Sequence, residues 1–236
     1  MINFKKSPQR NRQYVGDSEW IIDIYNQLFD KKNGFVVEIG VGHVLDWEYM
    51  GTPRILREDE NVVRGFSTTY ELIEHGWKGI YIDPIKEFLF NEVSKIIKTT
   101  LPKERWDDVK LAPYAASDSE GVMQIVRDET LDFYGTEPTP DNEIIPYQYR
   151  GRFVKRKKTT DILIDLNCPK DIDVMLIDVE GHELNVLKGI DFNLFLPKLL
   201  FIETNKIPLS EIKKIIPEKY TLIKEDGLNS ALIYND

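Results

Sequence analysis

The sequence predicts an α/β fold: a mainly parallel sheet with helices on both faces, closed by a terminal antiparallel strand pair. Three observations predict it. Short apolar runs (35–39, 79–83, 173–178) alternate with longer amphipathic stretches, the pattern of βαβ units. No internal repeat and no Gly/Ser- or Pro-rich linker divides the 236 residues, and 42% hydrophobic residues supply one sizeable core. The last two apolar runs, 220–224 and 231–234, flank Asp226-Gly227 and read as an antiparallel pair.

The elements follow in order. Residues 1–16 read as a polar, basic N-terminal arm that lacks the apolar stretch of a secretory signal. Residues 17–236 then form one domain. Asp17–Asp30 carries Trp20, Ile21, Ile24, Tyr25, Leu28 and Phe29 at helical spacing. Phe35–Ile39 is a buried strand running into Gly40-Val41-Gly42. Residues 45–64 are irregular and charged, an inserted loop or lid. Thr68 and Glu71 make a capping-box pattern for a short helix that Gly76 ends. Gly79–Asp83 is the second strand, and Pro84 opens a helix striped with Ile85, Phe88, Leu89, Val93, Ile96 and Ile97. Val109–Ala115 and Val122–Val126 read as strands, and residues 128–150, rich in Pro, Asp, Glu and Tyr, as an acceptor-side loop. Asp173–Asp178 is the most apolar strand, His182–Lys188 a helix, and Lys198–Thr204 a further strand.

A formal net charge of −9 argues against non-specific nucleic-acid binding by the surface as a whole. One cysteine, Cys168, leaves no internal disulfide and no multi-cysteine zinc site. No apolar run reaches the roughly 20 residues that cross a bilayer, so a soluble, cytoplasmic protein is expected. The run from Arg150 to Lys158 carries six basic residues. It reads first as a solvated strand edge or face, and alternatively as a patch for an anionic acceptor.

Chemistry concentrates at the strand exits. In Glu38-Ile39-Gly40-Val41-Gly42 the glycines allow a tight turn close to a ligand, and Glu38 suits a cationic one. A dinucleotide fingerprint needs a further glycine three residues after Gly42, where Leu45 stands, which counts against NAD. Asp83, at the end of the second strand, is placed to accept the ribose hydroxyls of an adenosine or to cap the Pro84 helix. Ser117 and Asp118, after Ala115-Ala116, offer short polar groups for an adenine or form a plain turn. In Asp178-Val179-Glu180-Gly181-His182-Glu183, carboxylates and an imidazole crowd a strand exit and a helix start. Glu183 there suits the helix macrodipole. Asp178, Glu180 and His182 are the candidates to take a proton from an attacking hydroxyl. Asp178 and Glu180 are also the pair for a divalent cation, although no multi-ligand spacing indicates one. A ligand bearing an ammonium, a sulfonium and an adenosine, S-adenosylmethionine (SAM), matches this set.

The chain resembles the FkbM-type SAM-dependent methyltransferases. The residues that carry the resemblance are GFVVEIGVG (34–42), STTYELIEHGWKGIYIDP (67–84), LAPYAASDSEG (111–121), DVMLIDVEGHELNVLKGIDF (173–192) and PKLLFIET (197–204). It implies a class I SAM-methyltransferase (Rossmann-like) sheet, SAM as methyl donor, and a sugar or polyketide hydroxyl as acceptor. By position it implies Glu38, Gly40 and Gly42 near the methionine moiety, Asp83 on the ribose, and Ser117 and Asp118 near the adenine; Thr69 and Pro84 are further candidates for binding the donor. The family commonly reads Gly-Ala-Asn where this chain has Gly40-Val41-Gly42. The expectation is therefore a SAM-dependent O-methyltransferase acting on a sugar or glycan. The alternative is a non-catalytic SAM- or nucleotide-binding module that regulates a partner. An NAD-dependent sugar-modifying enzyme is disfavoured by Leu45 and by the lack of a Tyr-x-x-x-Lys dyad.

Overall fold

The structure, a computed structural model, describes residues 33–41, 67–128, 133–135 and 151–235. The expected arm (1–16), the helix at 17–30, Gly42, the inserted loop (45–64) and most of 128–150 lie outside them.

The described residues form two sheets. The first has seven strands: β1 (Phe35–Ile39), β2 (Lys78–Ile82), β3 (Val109–Ala112), β8 (Val174–Ile177), β9 (Leu199–Glu203), β10 (Tyr220–Glu225) and β11 (Asn229–Tyr234), in the order β10-β11-β9-β8-β1-β2-β3. β3, β2, β1, β8 and β9 run parallel; β11 and β10 close the edge antiparallel, as expected. From β1 the chain winds outward through β2 to β3, then returns to β8 on the other side of β1 and winds outward again. The order therefore reverses between β1 and β8, and their carboxyl ends form the crevice where such sheets bind ligands.

Strand alternation sends neighbouring residues to opposite faces. Val36, Tyr81, Leu176 and Phe201 enter one core with α1 (Tyr70–Glu74) and the helix over 86–100, which is π-wound at Phe88–Val93 and then α-helical as α2 (Ser94–Thr100). Val37, Ile80, Met175 and Ile202 enter the other core with α3 (Thr159–Asp165), α4 (Glu183–Lys188) and α5 (Leu209–Ile212). Gly76 ends α1 as predicted. Its φ of +107° allows the amides of Gly76 and Trp77 to donate back to Ile73 and Leu72.

The second sheet is a correction to the sequence reading. It contains β4 (Ala115–Ser117), β7 (Gly151–Lys158), β5 (Gly121–Asp128) and β6 (Phe133–Gly135), in that order. The predicted strand at 109–115 thus divides between two sheets. Part of the predicted loop at 128–150 is β6, and the basic run is an interior strand rather than an edge. The helix expected from His182 begins at Glu183, with His182 at its N-cap.

Candidate functional site

Three groups of side chains gather at the carboxyl ends of the parallel strands. The first joins β1 and β2. Gly40 turns the chain at φ +84°, and its amide donates to the Ile82 carbonyl at 2.9 Å. A Cβ there would lie 1.6 Å from the Asp178 carbonyl oxygen, so only glycine fits. Glu38 is 1% exposed. Its Oε1 accepts from the Thr68 amide at 2.9 Å; its Oε2 accepts from Ser67 Oγ at 2.6 Å, from the Thr69 amide at 3.2 Å and from Thr69 Oγ1. Glu38 thereby caps the approach to α1 from a strand some thirty residues upstream. Asp83, 5% exposed, accepts from Ile85 N at 2.8 Å through Oδ1 and from Val41 N at 3.4 Å through Oδ2. Burial pushes Glu38 up to about 7 against its hydrogen bonds from Ser67, Thr69 and Thr68. Burial also pushes Asp83 up to about 7, against the two amides and with the Glu38 charge adding to the rise. Pro84 follows, half-buried.

The second group stands at the exits of β8 and β9. Glu180 adopts φ +55° and Gly181 φ +107°. Glu183 Oε1 holds this turn by accepting from Val179 N at 3.1 Å and Gly181 N at 3.0 Å. Asp178, Glu180 and Glu203 each offer an oxygen within 4.8 Å of the others, the one such group among the described residues, while Lys206 Nζ takes Glu180 Oε2 at 3.1 Å. Those three oxygens are the set that could ligate a divalent cation, with the Lys206 ammonium competing for Glu180. Burial raises Glu203 to about 7, assisted by the charges of Glu180 and Glu183 and opposed by Lys206 and a hydrogen bond with Asp178.

The third group joins β4 to the start of α4. Ser117 Oγ lies 3.1 Å from His182 Nε2 and donates to Asp118 Oδ1 at 3.2 Å. Ser117 and His182 are both buried, whereas Asp118 is exposed. Burial lowers the His182 pKa.

A profile described as "Methyltransferase FkbM domain" matches residues 56–227. The chain belongs to the FkbM methyltransferase domain family. Among solved structures, the crystal structure of Methyltransferase FkbM from Methylobacillus flagellatus KT matches with a TM-score of 0.51 and 13% identity over 89% of this chain, a likeness of fold alone. This chain spans 45% of the length of that one. No curated protein matches.

The fold thus brings Glu38, Gly40, Thr69, Asp83 and Pro84 together at one side of the crevice and Asp178 and Glu180 beside them. Ser117, Asp118 and His182 form a separate cluster, of which Ser117 and His182 are buried. Of the basic run, Lys157 is tied to Asp165, Arg156 is half-buried and Lys155 is exposed. Nothing in the local sequence marks Glu203 as a site residue. Its signal is positional: Ile202 pairs with Ile177, so Glu203 leaves β9 level with Asp178 leaving β8. Among the described residues no helix is long and apolar enough to cross a membrane.

Proposed function

We propose that this FkbM-domain protein transfers a methyl group from SAM to a hydroxyl of a sugar or glycan acceptor. The observation that supports this best is the pair of buried carboxylates, Glu38 and Asp83, at the carboxyl ends of adjacent parallel strands beside the switch point. Each Asp83 oxygen accepts one amide and keeps a second acceptor position for a ribose hydroxyl. Glu38 spends most of its capacity on Ser67, Thr68 and Thr69, so it shapes the methionine end of the site chiefly by ordering that turn. Burying two carboxylates is costly without positive charge nearby, and a ligand that carries ammonium and sulfonium relieves that cost.

Bound SAM supplies an already activated methyl, which leaves positioning and proton removal to the chain. Asp178 and Glu180, half-buried at the crevice, are the acceptors for the hydroxyl proton. His182 is less suited, because its Nε2 is engaged with Ser117. Lys155 on β7 offers a cation for an anionic acceptor.

Calorimetric titration with SAM, S-adenosylhomocysteine and NAD tests the donor. Affinity near micromolar for the two sulfur ligands and none for NAD is expected. Transfer of labelled methyl from SAM to a panel of sugar acceptors tests the reaction. Binding without transfer to any acceptor would favour a regulatory binding module instead.

A further inference from the structure

We propose that His182 is a positioning residue, which ties the acidic turn after β8 to the exit of β4 through a relay that is buried at His182 and Ser117 and reaches the surface at Asp118. The relay runs from His182 Nε2–H to Ser117 Oγ, and from Ser117 Oγ–H to the Asp118 carboxylate. The inference rests on the reading above, in which the adenine side of the donor lies at Ser117-Asp118 and the acceptor side at Asp178 and Glu180.

The direction of the relay follows from proton counting. An ionised carboxylate only accepts, and a serine hydroxyl has one proton to give. Burial raises Asp118, but hydrogen bonds from Ser119, Ser117 and its own amide, with the Arg156 charge, together hold it below its ordinary value, which keeps it ionised. Ser117 therefore spends its proton on Asp118, and its oxygen receives the proton on His182 Nε2 at 3.1 Å. His182 then carries a proton on Nε2, and that nitrogen has no lone pair with which to serve as a base.

The surroundings make this link stiff. Ser117 is 0% exposed and its carbonyl accepts from Thr159 Oγ1 at 3.2 Å. At the far end of α4, a Cβ on Gly189 would lie 1.9 Å from the same Ser117 carbonyl oxygen. α4 is thus pinned to β4 at both ends, by His182 before its first turn and by Gly189 after its last. The turn that α4 carries includes Glu180 at φ +55°, a conformation that persists in a non-glycine residue only when its neighbours over-determine it. Filling the adenine side at Asp118 should therefore be felt at Asp178–Glu183, with the His182–Ser117 contact as the link nearest that turn.

Hydrogen–deuterium exchange of peptides covering 178–183, with and without saturating S-adenosylhomocysteine, reads this coupling directly. In the wild type, exchange there slows about 5-fold or more on binding. His182→Ala loses that protection with the ligand bound, as checked by calorimetry in the same buffer. His182→Gln, whose amide nitrogen reaches the place of Nε2, restores it. Should a thermal melt show His182→Ala unfolded, Ser117→Ala removes the contact from the other side and is read the same way at saturation. Protection unchanged in the variant, or absent in the ligand-bound wild type, overturns the inference alone. Failure of the wild type to bind S-adenosylhomocysteine overturns the donor reading and the inference with it.

Discussion

Asp83 and Glu38 carry the electrostatic character of the exits of β1 and β2, and both bind their protons more tightly folded than unfolded. Their pKa values rise from 3.8 and 4.5 to about 7. Between roughly pH 4 and 7 the folded state holds the additional protons, so these groups stabilise the ligand-free protein below that window and cease to as pH rises through it. A pKa unit is worth about 1.4 kcal/mol, and 1 kcal/mol moves Tm by about 2–4 °C at this size. The ligand-free Tm should therefore fall by at least about 4 °C from pH 5 to pH 8, and Glu38→Gln should flatten that fall. A cationic ligand favours the ionised carboxylates, so SAM affinity should rise over the same window. Asp83→Asn keeps the shape and removes the charge. It should weaken S-adenosylhomocysteine by about 10- to 100-fold, the usual worth of hydrogen bonds to a charged group. Because the Asn amide nitrogen cannot accept, one of the Val41 and Ile85 amides loses its partner, and the affinity is read on protein that a thermal melt shows to be folded. Unchanged affinity would remove Asp83 from the donor site.

The turn after β1 is set by contact as much as by conformation. Gly40 and Gly227 both have positive φ, +84° and +89°. A Cβ at Gly40 would collide with the Asp178 carbonyl, whereas nothing lies within 4 Å of one at Gly227. Gly227→Ala should cost about 1–2 kcal/mol of left-handed strain. Gly40→Ala should cost about 4 kcal/mol or more, or prevent folding, because β1 and β8 would have to part. Paired urea melts of the two variants give the comparison; equal losses would show that the close approach contributes nothing.

The small sheet is not an appendage. Met123, Ile125 and Val154 belong to the same core as Val36, Tyr81, Leu176 and Phe201. Ile125 is 1% exposed, and Ile125→Ala should destabilise by about 2–5 kcal/mol. Phe153, on the same sheet but 72% exposed, should change stability by no more than about 0.5 kcal/mol when replaced by Ser. With a shared core, urea unfolding followed by far-UV circular dichroism and by tryptophan fluorescence should give coincident curves. Separate midpoints would show the small sheet folding on its own.

Much of this was written in local pattern. Apolar runs of strand length, Asp83 at the end of one, Gly76 after a helix and Asp226-Gly227 between the last two runs identified the parallel sheet, its antiparallel edge and two sides of the crevice. These signals are short-range: each depends on a few consecutive residues and on backbone preferences that hold in any context. Packing alone could show the rest. β7 shows its burial through Val154 within a basic run, so it reads as surface until β4 and β5 pair with it. Glu38 caps a turn thirty residues downstream, His182 meets a serine 65 residues upstream, and Glu203 faces Asp178 through strand register. No periodicity encodes those meetings, because they arise from which distant segments share a face once the hydrophobic cores have closed.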